Sequence, residues 1–190
     1  MDINDYSIFN DNIETLRETS YDSELKEYVT DSLIEAINFD GVKTQFANSF
    51  GCSEEVATSV DALILKNGNA LFIEFKNAQI GKSTKTNIKR KISDSLLIFN
   101  DITDKSLSYT RKYADFILVY SEEKNSSSSP QKGEIQVSMS REKIKDYFFK
   151  KSETEFIRFG LEPCKKVYFR NVHTYTQEEF RMYLKNSDLL

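Results

Sequence analysis

The sequence predicts an α/β protein, a mixed β-sheet flanked by helices. Three observations predict it. Residues 56–65, 70–77 and 114–120 are apolar on both faces, the pattern of central strands covered from two sides. Between the first two runs stands Lys66-Asn67-Gly68-Asn69, and Asn-Gly between apolar runs marks a tight hairpin. A long amphipathic stretch, residues 84–101, separates the second run from the third, with Ile88, Ile92, Leu96 and Phe99 as its buried stripe.

The other elements follow in order. Residues 1–21 read as an acidic arm or short extra helix around Ile13-Glu14-Thr15-Leu16-Arg17. Asp22 or Ser23 caps a helix running to about Asn38, since Leu25, Val29, Leu33 and Ala36 recur at helical spacing. Asp40-Gly41 ends it, and residues 42–49 read as a short strand. Residues 125–133, with four serines and Pro130, read as a mobile loop. Alternating Ile135, Val137 and Met139 add a strand, residues 141–151 a helix and residues 167–172 a strand. Thr176 with Glu179 is a capping box before a last helix. The expectation is one domain over residues 1–190: the arm, then helix, three strands, helix and strand over 22–121, then β/α additions over 122–190.

Composition excludes several chemistries. The single histidine, His173, is too few for a pair of acid–base histidines, and no G-x-S-x-G elbow accompanies it. It lies in an alternating run and reads as a strand-end residue. Cys52 and Cys164 form no CxxC pair, so no zinc site or disulfide framework is expected. The first twenty residues are acidic and polar rather than signal-like, and no run spans a bilayer, so a cytoplasmic protein without membrane partners is expected.

The formal net charge of −4 hides an uneven distribution. Residues 1–40 hold eleven acidic and two basic side chains, leaving 24 basic against 19 acidic in the rest. Between Phe75 and Ser93 stand Lys76, Lys82, Lys85, Lys89, Arg90 and Lys91, with no acid among them. A basic surface of this kind suits phosphate contacts from Lys85, Lys89 and Lys91, or serves simply as a solvated face.

The chemistry centres on the hairpin. Residues two apart in a strand share a face, so Glu74 and Lys76 point the same way. A two-residue turn at Asn67-Gly68 sets Asp61 directly opposite Glu74; one at Gly68-Asn69 sets it opposite Lys76. Either places all three on one face. Facing carboxylates in an apolar sheet are costly, and a divalent cation resolves the cost. Two carboxylates with backbone and phosphate oxygens suit Mg²⁺ (or Mn²⁺), with Lys76 beside it to orient a water or steady developing charge.

Val60-Asp61, twelve residues, then Glu74-Phe75-Lys76 resembles the D-x(n)-E-x-K signature of the PD-(D/E)xK nuclease superfamily. The proline that usually precedes the aspartate is Val60 here. The resemblance covers about residues 22–121 and implies a restriction-endonuclease-like αβββαβ core. It implies a Mg²⁺- or Mn²⁺-dependent nuclease with Asp61, Glu74 and Lys76 as the catalytic set, with DNA as the expected substrate and RNA as the alternative. It further implies a metal-holding Glu in the first helix, where Glu24 is preferred, Glu35 is the alternative and Glu27 is solvated. Gln or Lys from the second helix is expected near the site, and many such enzymes dimerise to cut two strands.

A competing motif, Gly81-Lys82-Ser83, lacks the first glycine of a P-loop, since position 76 is Lys76. Two other readings are a nuclease-fold module that binds without cleaving and an interaction factor whose acidic arm mimics or masks nucleic acid.

Overall fold

The structure, a computed structural model, describes residues 5–128 and 157–187. In chain order, α1 (Ser7–Asn10), β1 (Ile13–Thr15) and α2 (Leu16–Thr19) precede a small hairpin of β2 (Tyr21–Asp22) and β3 (Glu27–Tyr28). β4 (Glu35–Asn38) leads into α3 (Phe39–Ser49). β5 (Ala62–Lys66) and β6 (Asn69–Lys76) form the central hairpin, and α4 (Lys82–Thr103) with α5 (Leu107–Tyr113) returns the chain to β7 (Ala114–Tyr120). After residue 157 come α6 (Cys164–Val167), β8 (Asn171–Thr176) and α7 (Gln177–Asn186).

Among the described residues, six strands make one mixed sheet in the order β1-β4-β5-β6-β7-β8. The first four neighbours pair antiparallel; β6, β7 and β8 run parallel. The α/β class with helices flanking a mixed sheet is therefore as expected. Side-chain alternation divides the core between two faces. Phe72 points to one, against Phe39 of α3 and Phe99 of α4; Phe75 points to the other, against Phe180 of α7. Among the described residues no helix is long and apolar enough to cross a membrane.

The region before the hairpin departs from expectation. Residues 22–38 are not a helix, and residues 42–49 are helical rather than a strand. Asp22 does accept from the backbone N–H groups of Glu24 and Leu25, as a cap would, but this closes the β2–β3 turn. Of the apolar positions at helical spacing, only Val29 and Ala36 are buried, while Leu25 and Leu33 are 43% and 73% exposed. The free edge of β5 needs a partner, and β4 supplies it through Ile37 opposite Leu63. Asn38 then caps α3 by accepting from Gly41 N–H, and Phe39, Val42 and Phe46 pack inward at helical spacing. The core order is thus strand, helix, two strands, helix, strand, not the expected helix followed by three strands.

Smaller differences have local causes. Residues 1–21 are not simply an arm: β1 is the sheet's edge strand, and Phe9 and Leu16 are fully buried. Residues 54–56 form a 3-10 turn and β5 starts only at Ala62. β8 begins at Asn171, because the chain over 164–167 is helical, and His173 lies mid-strand, stacked on Tyr175. The capping box at Thr176 is present in both directions. The strand around residues 135–139, the helix at 141–151 and most of the serine-rich loop lie outside the described residues.

Candidate active site

The hairpin turn sets the site. Lys66 pairs with Asn69, so the loop is the two residues Asn67 and Gly68, with φ of 52° and 74°. Positive φ at both central residues is the turn that Asn-Gly favours, and its twist matches the flanking strands. The register then runs Ala62 opposite Ile73, and Asp61 N–H donates to the Ile73 carbonyl at 3.1 Å. Asp61 stands just before β5, facing Glu74 across the hairpin.

Asp61, Glu74 and Lys76 meet on the α3/α4 face of the sheet. Glu74 is fully buried. Its Oε1 lies 2.7 Å from Lys76 Nζ. The Asp61 carboxylate is held by its own neighbourhood: Oδ2 accepts from Phe75 N–H at 2.6 Å. A fourth side chain completes the cluster. Lys91, in the third turn of α4, donates to Asp61 Oδ1 and Glu74 Oε2, each at 3.0 Å, and lies 2.9 Å from Glu74 Oε1. Glu74 Oε1 touches both ammonium groups but has no aligned hydrogen-bond donor. Burial and the Asp61 charge push the Glu74 carboxyl up to about 7, against the opposing pull of Lys91 and Lys76. Burial lowers the Lys91 ammonium, but Glu74 and Asp61 outweigh it and shift it upward.

Two clefts meet at this cluster. One, of about 320 Å³, is bounded by Tyr21, Asp22, Glu24, Asp40, Asp61 and Lys76. The other, of about 1020 Å³, is bounded by Asp40, Lys43, Glu54, Ser59, Arg90 and Lys91. The β2–β3 hairpin walls the first, pinned by a bond from Asn77 Nδ2 to Glu27 Oε2 at 3.1 Å.

Several expected site residues stand elsewhere. Glu24 lies at the turn of that hairpin, on the cleft wall, and not on a helix beside Asp61. Glu35 is exposed on β4. Among the described residues no three His, Cys, Asp or Glu side chains gather closely enough to hold a metal ion. The expected third carboxylate from Glu24 is thus not in place. Lys91 is not presented to phosphates but occupied by the carboxylate pair. Lys85 and Lys89 turn away: Lys85 lies over the Phe159 ring and Lys89 beside Gly160. Two hundred degrees of helix rotation separate Lys89 from Lys91, at ~100° per residue.

Asp40 is a residue the sequence reading missed. It sits in the first turn of α3, borders both clefts and accepts a hydrogen bond from Ser59 Oγ. Its signal was the Asn38 cap two residues earlier, hidden by the apparent helix over 22–38.

The donor set fits a divalent cation in one respect. Both carboxylates already reach a single cationic point, the Lys91 ammonium, and Glu74 Oε1 is buried without an aligned donor. Searches with protein-family models, curated sequences and solved structures return no match.

Proposed function

We propose that this chain is a Mg²⁺- or Mn²⁺-dependent nuclease of restriction-endonuclease-like type, hydrolysing phosphodiester bonds in nucleic acid, with DNA as the proposed substrate. One observation carries the reading. Asp61 and Glu74 lie opposite each other in a buried sheet and converge on one cation position, with Lys76 Nζ at 2.7 Å from Glu74. A central β-hairpin leading through a long helix to a parallel strand supports the same reading.

In this reading Asp61 and Glu74 would hold the metal, which supplies a water of lowered pKa and charge neutralisation at the phosphate. Phe75 N–H fixes the Asp61 carboxylate, leaving Oδ1 toward the cation position. Lys76, partly exposed to the smaller cleft, orients the attacking water or steadies charge on the phosphoryl oxygens. Lys82 and Arg90 line a groove along α4 beside the larger cleft and replace Lys85 and Lys89 as the phosphate contacts.

The test is incubation with plasmid, single-stranded DNA and tRNA in Mg²⁺, Mn²⁺ or EDTA. Cleavage is expected with metal only, and Asp61→Ala and Glu74→Gln are expected to abolish it while circular dichroism stays folded. Activity within about twofold of the parent in both variants removes the site, since loss of a metal ligand costs far more than that.

A second reading, a nuclease-fold protein that binds without cleaving, is favoured by the Lys91 bridge, which holds both carboxylates without a metal, with Lys76 as the second ammonium. Binding to nucleic acid in Mn²⁺ with no product would select it.

A further inference from the structure

Resting on the nuclease reading, we infer that Lys91 is the resident counter-cation of the Asp61–Glu74 pair, and that a divalent ion enters by displacing its ammonium. The Lys91 Nζ lies 3.0 Å from Asp61 Oδ1 and 2.9 and 3.0 Å from the two Glu74 oxygens. It touches both carboxylates. Among the described residues, Lys76, the other ammonium, pairs with Glu74 and not with Asp61. An ion held by the same oxygens would need the space that the Lys91 ammonium fills. Two cations at that separation repel strongly in a site of low dielectric, so they cannot share it.

The geometry also provides a way out. Ile88 and Ile92 bury the α4 backbone on either side of Lys91, so the helix stays and the side chain moves. Lys91 already borders the larger cleft beside Asp40, whose side chain is 57% exposed. An extended four-carbon stem turning into that cleft places its ammonium in an open space where Asp40, Glu54 and Glu55 stand among Lys43 and Arg90. Lys91 thus holds the two buried carboxylates close together until metal arrives. The cost is that metal binding becomes an exchange, with an apparent affinity below what two converging carboxylates alone would give.

The experiment reads metal binding, not cleavage. Mn²⁺ is titrated into the parent protein and into Lys91→Met, and free Mn²⁺ is followed by its paramagnetic resonance. Tighter binding in Lys91→Met, by about tenfold or more, is expected because the competitor is gone. In parallel, the ¹⁵N signal of the Lys91 ammonium, identified by its loss in Lys91→Arg, is followed as Mg²⁺ is added to the parent. A protected signal that shifts and loses protection at saturation supports exchange. If Lys91→Met does not fold, that signal decides alone. Mn²⁺ affinity in Lys91→Met within twofold of the parent or weaker, or an ammonium signal unmoved at saturating Mg²⁺, overturns the exchange and leaves the nuclease reading standing. No Mn²⁺ binding by either protein overturns both.

Discussion

Glu74 is a fully buried carboxyl set between opposing electrostatic pulls. Its carboxyl is pushed up to about 7 from 4.5, first by burial and then by Asp61, although two ammonium groups oppose the shift. Folded protein therefore holds a proton at Glu74 that unfolded chain releases between those two values. A raised carboxyl pKa makes stability fall as pH rises through that window. Glu74→Gln removes the titration. Relative to the parent, the variant is expected to gain on the order of 3 kcal/mol as pH rises from 4.5 to 7, then no more. Thermal melts of both proteins across about pH 4 to 8 measure it. A stability difference that does not change with pH would mean that the Lys91 and Lys76 pairs cancel the effect of burial.

At the scale of elements, the hairpin and α4 make separate predictions. Gly68 has φ of 74°, and a side chain there would meet nothing within 4 Å, so any cost of substitution is backbone alone. Gly68→Val is expected to destabilise by about 1–2 kcal/mol, measured by denaturant melts. No cost would indicate a different turn and hence a different register for Asp61. On α4, Lys82 and Arg90 face the groove beside the site while Lys85 and Lys89 face residues 157–164. Replacing Lys82 and Arg90 by Ala is expected to flatten the slope of log K against log salt for nucleic-acid binding by about 2, roughly one per phosphate contact. Replacing Lys85 and Lys89 is expected to leave it unchanged. The reverse pattern would place the nucleic acid over the 157–164 segment.

For the molecule as a whole, the acidic amino-terminal segment belongs to the fold. β1 pairs with β4, and Phe9 and Leu16 are buried in the two core faces. Removing residues 1–20 is expected to lower stability by several kcal/mol, since two large buried side chains contribute ~1.5–3 kcal/mol each and β4 loses its outer partner while keeping β5. Melting of the truncated chain checks this. A truncation with unchanged melting and raised nuclease activity would instead restore the view of this segment as a mask.

Local signals were enough for the α/β class and for the spatial meeting of Asp61, Glu74 and Lys76. Asn67-Gly68 encodes its own turn, and a strand's period of two carries that register to every residue on the face. The same holds for the Thr176 capping box and for α4, whose stripe at 88, 92, 96 and 99 is buried as its spacing implies. Long-range pairing governed the rest. Residues 22–38 have helical spacing, yet the open edge of β5 draws Glu35–Asn38 into the sheet, because its unpaired backbone groups outweigh a weak local preference. That exchange moved Glu24 onto a hairpin and put Asp40 at the cleft. Only packing of α4 against the sheet could bring Lys91, seventeen residues from Glu74, onto both carboxylates. Nothing in linear spacing records which of several lysines on a helix turns inward, since that depends on where the helix axis lies over the sheet.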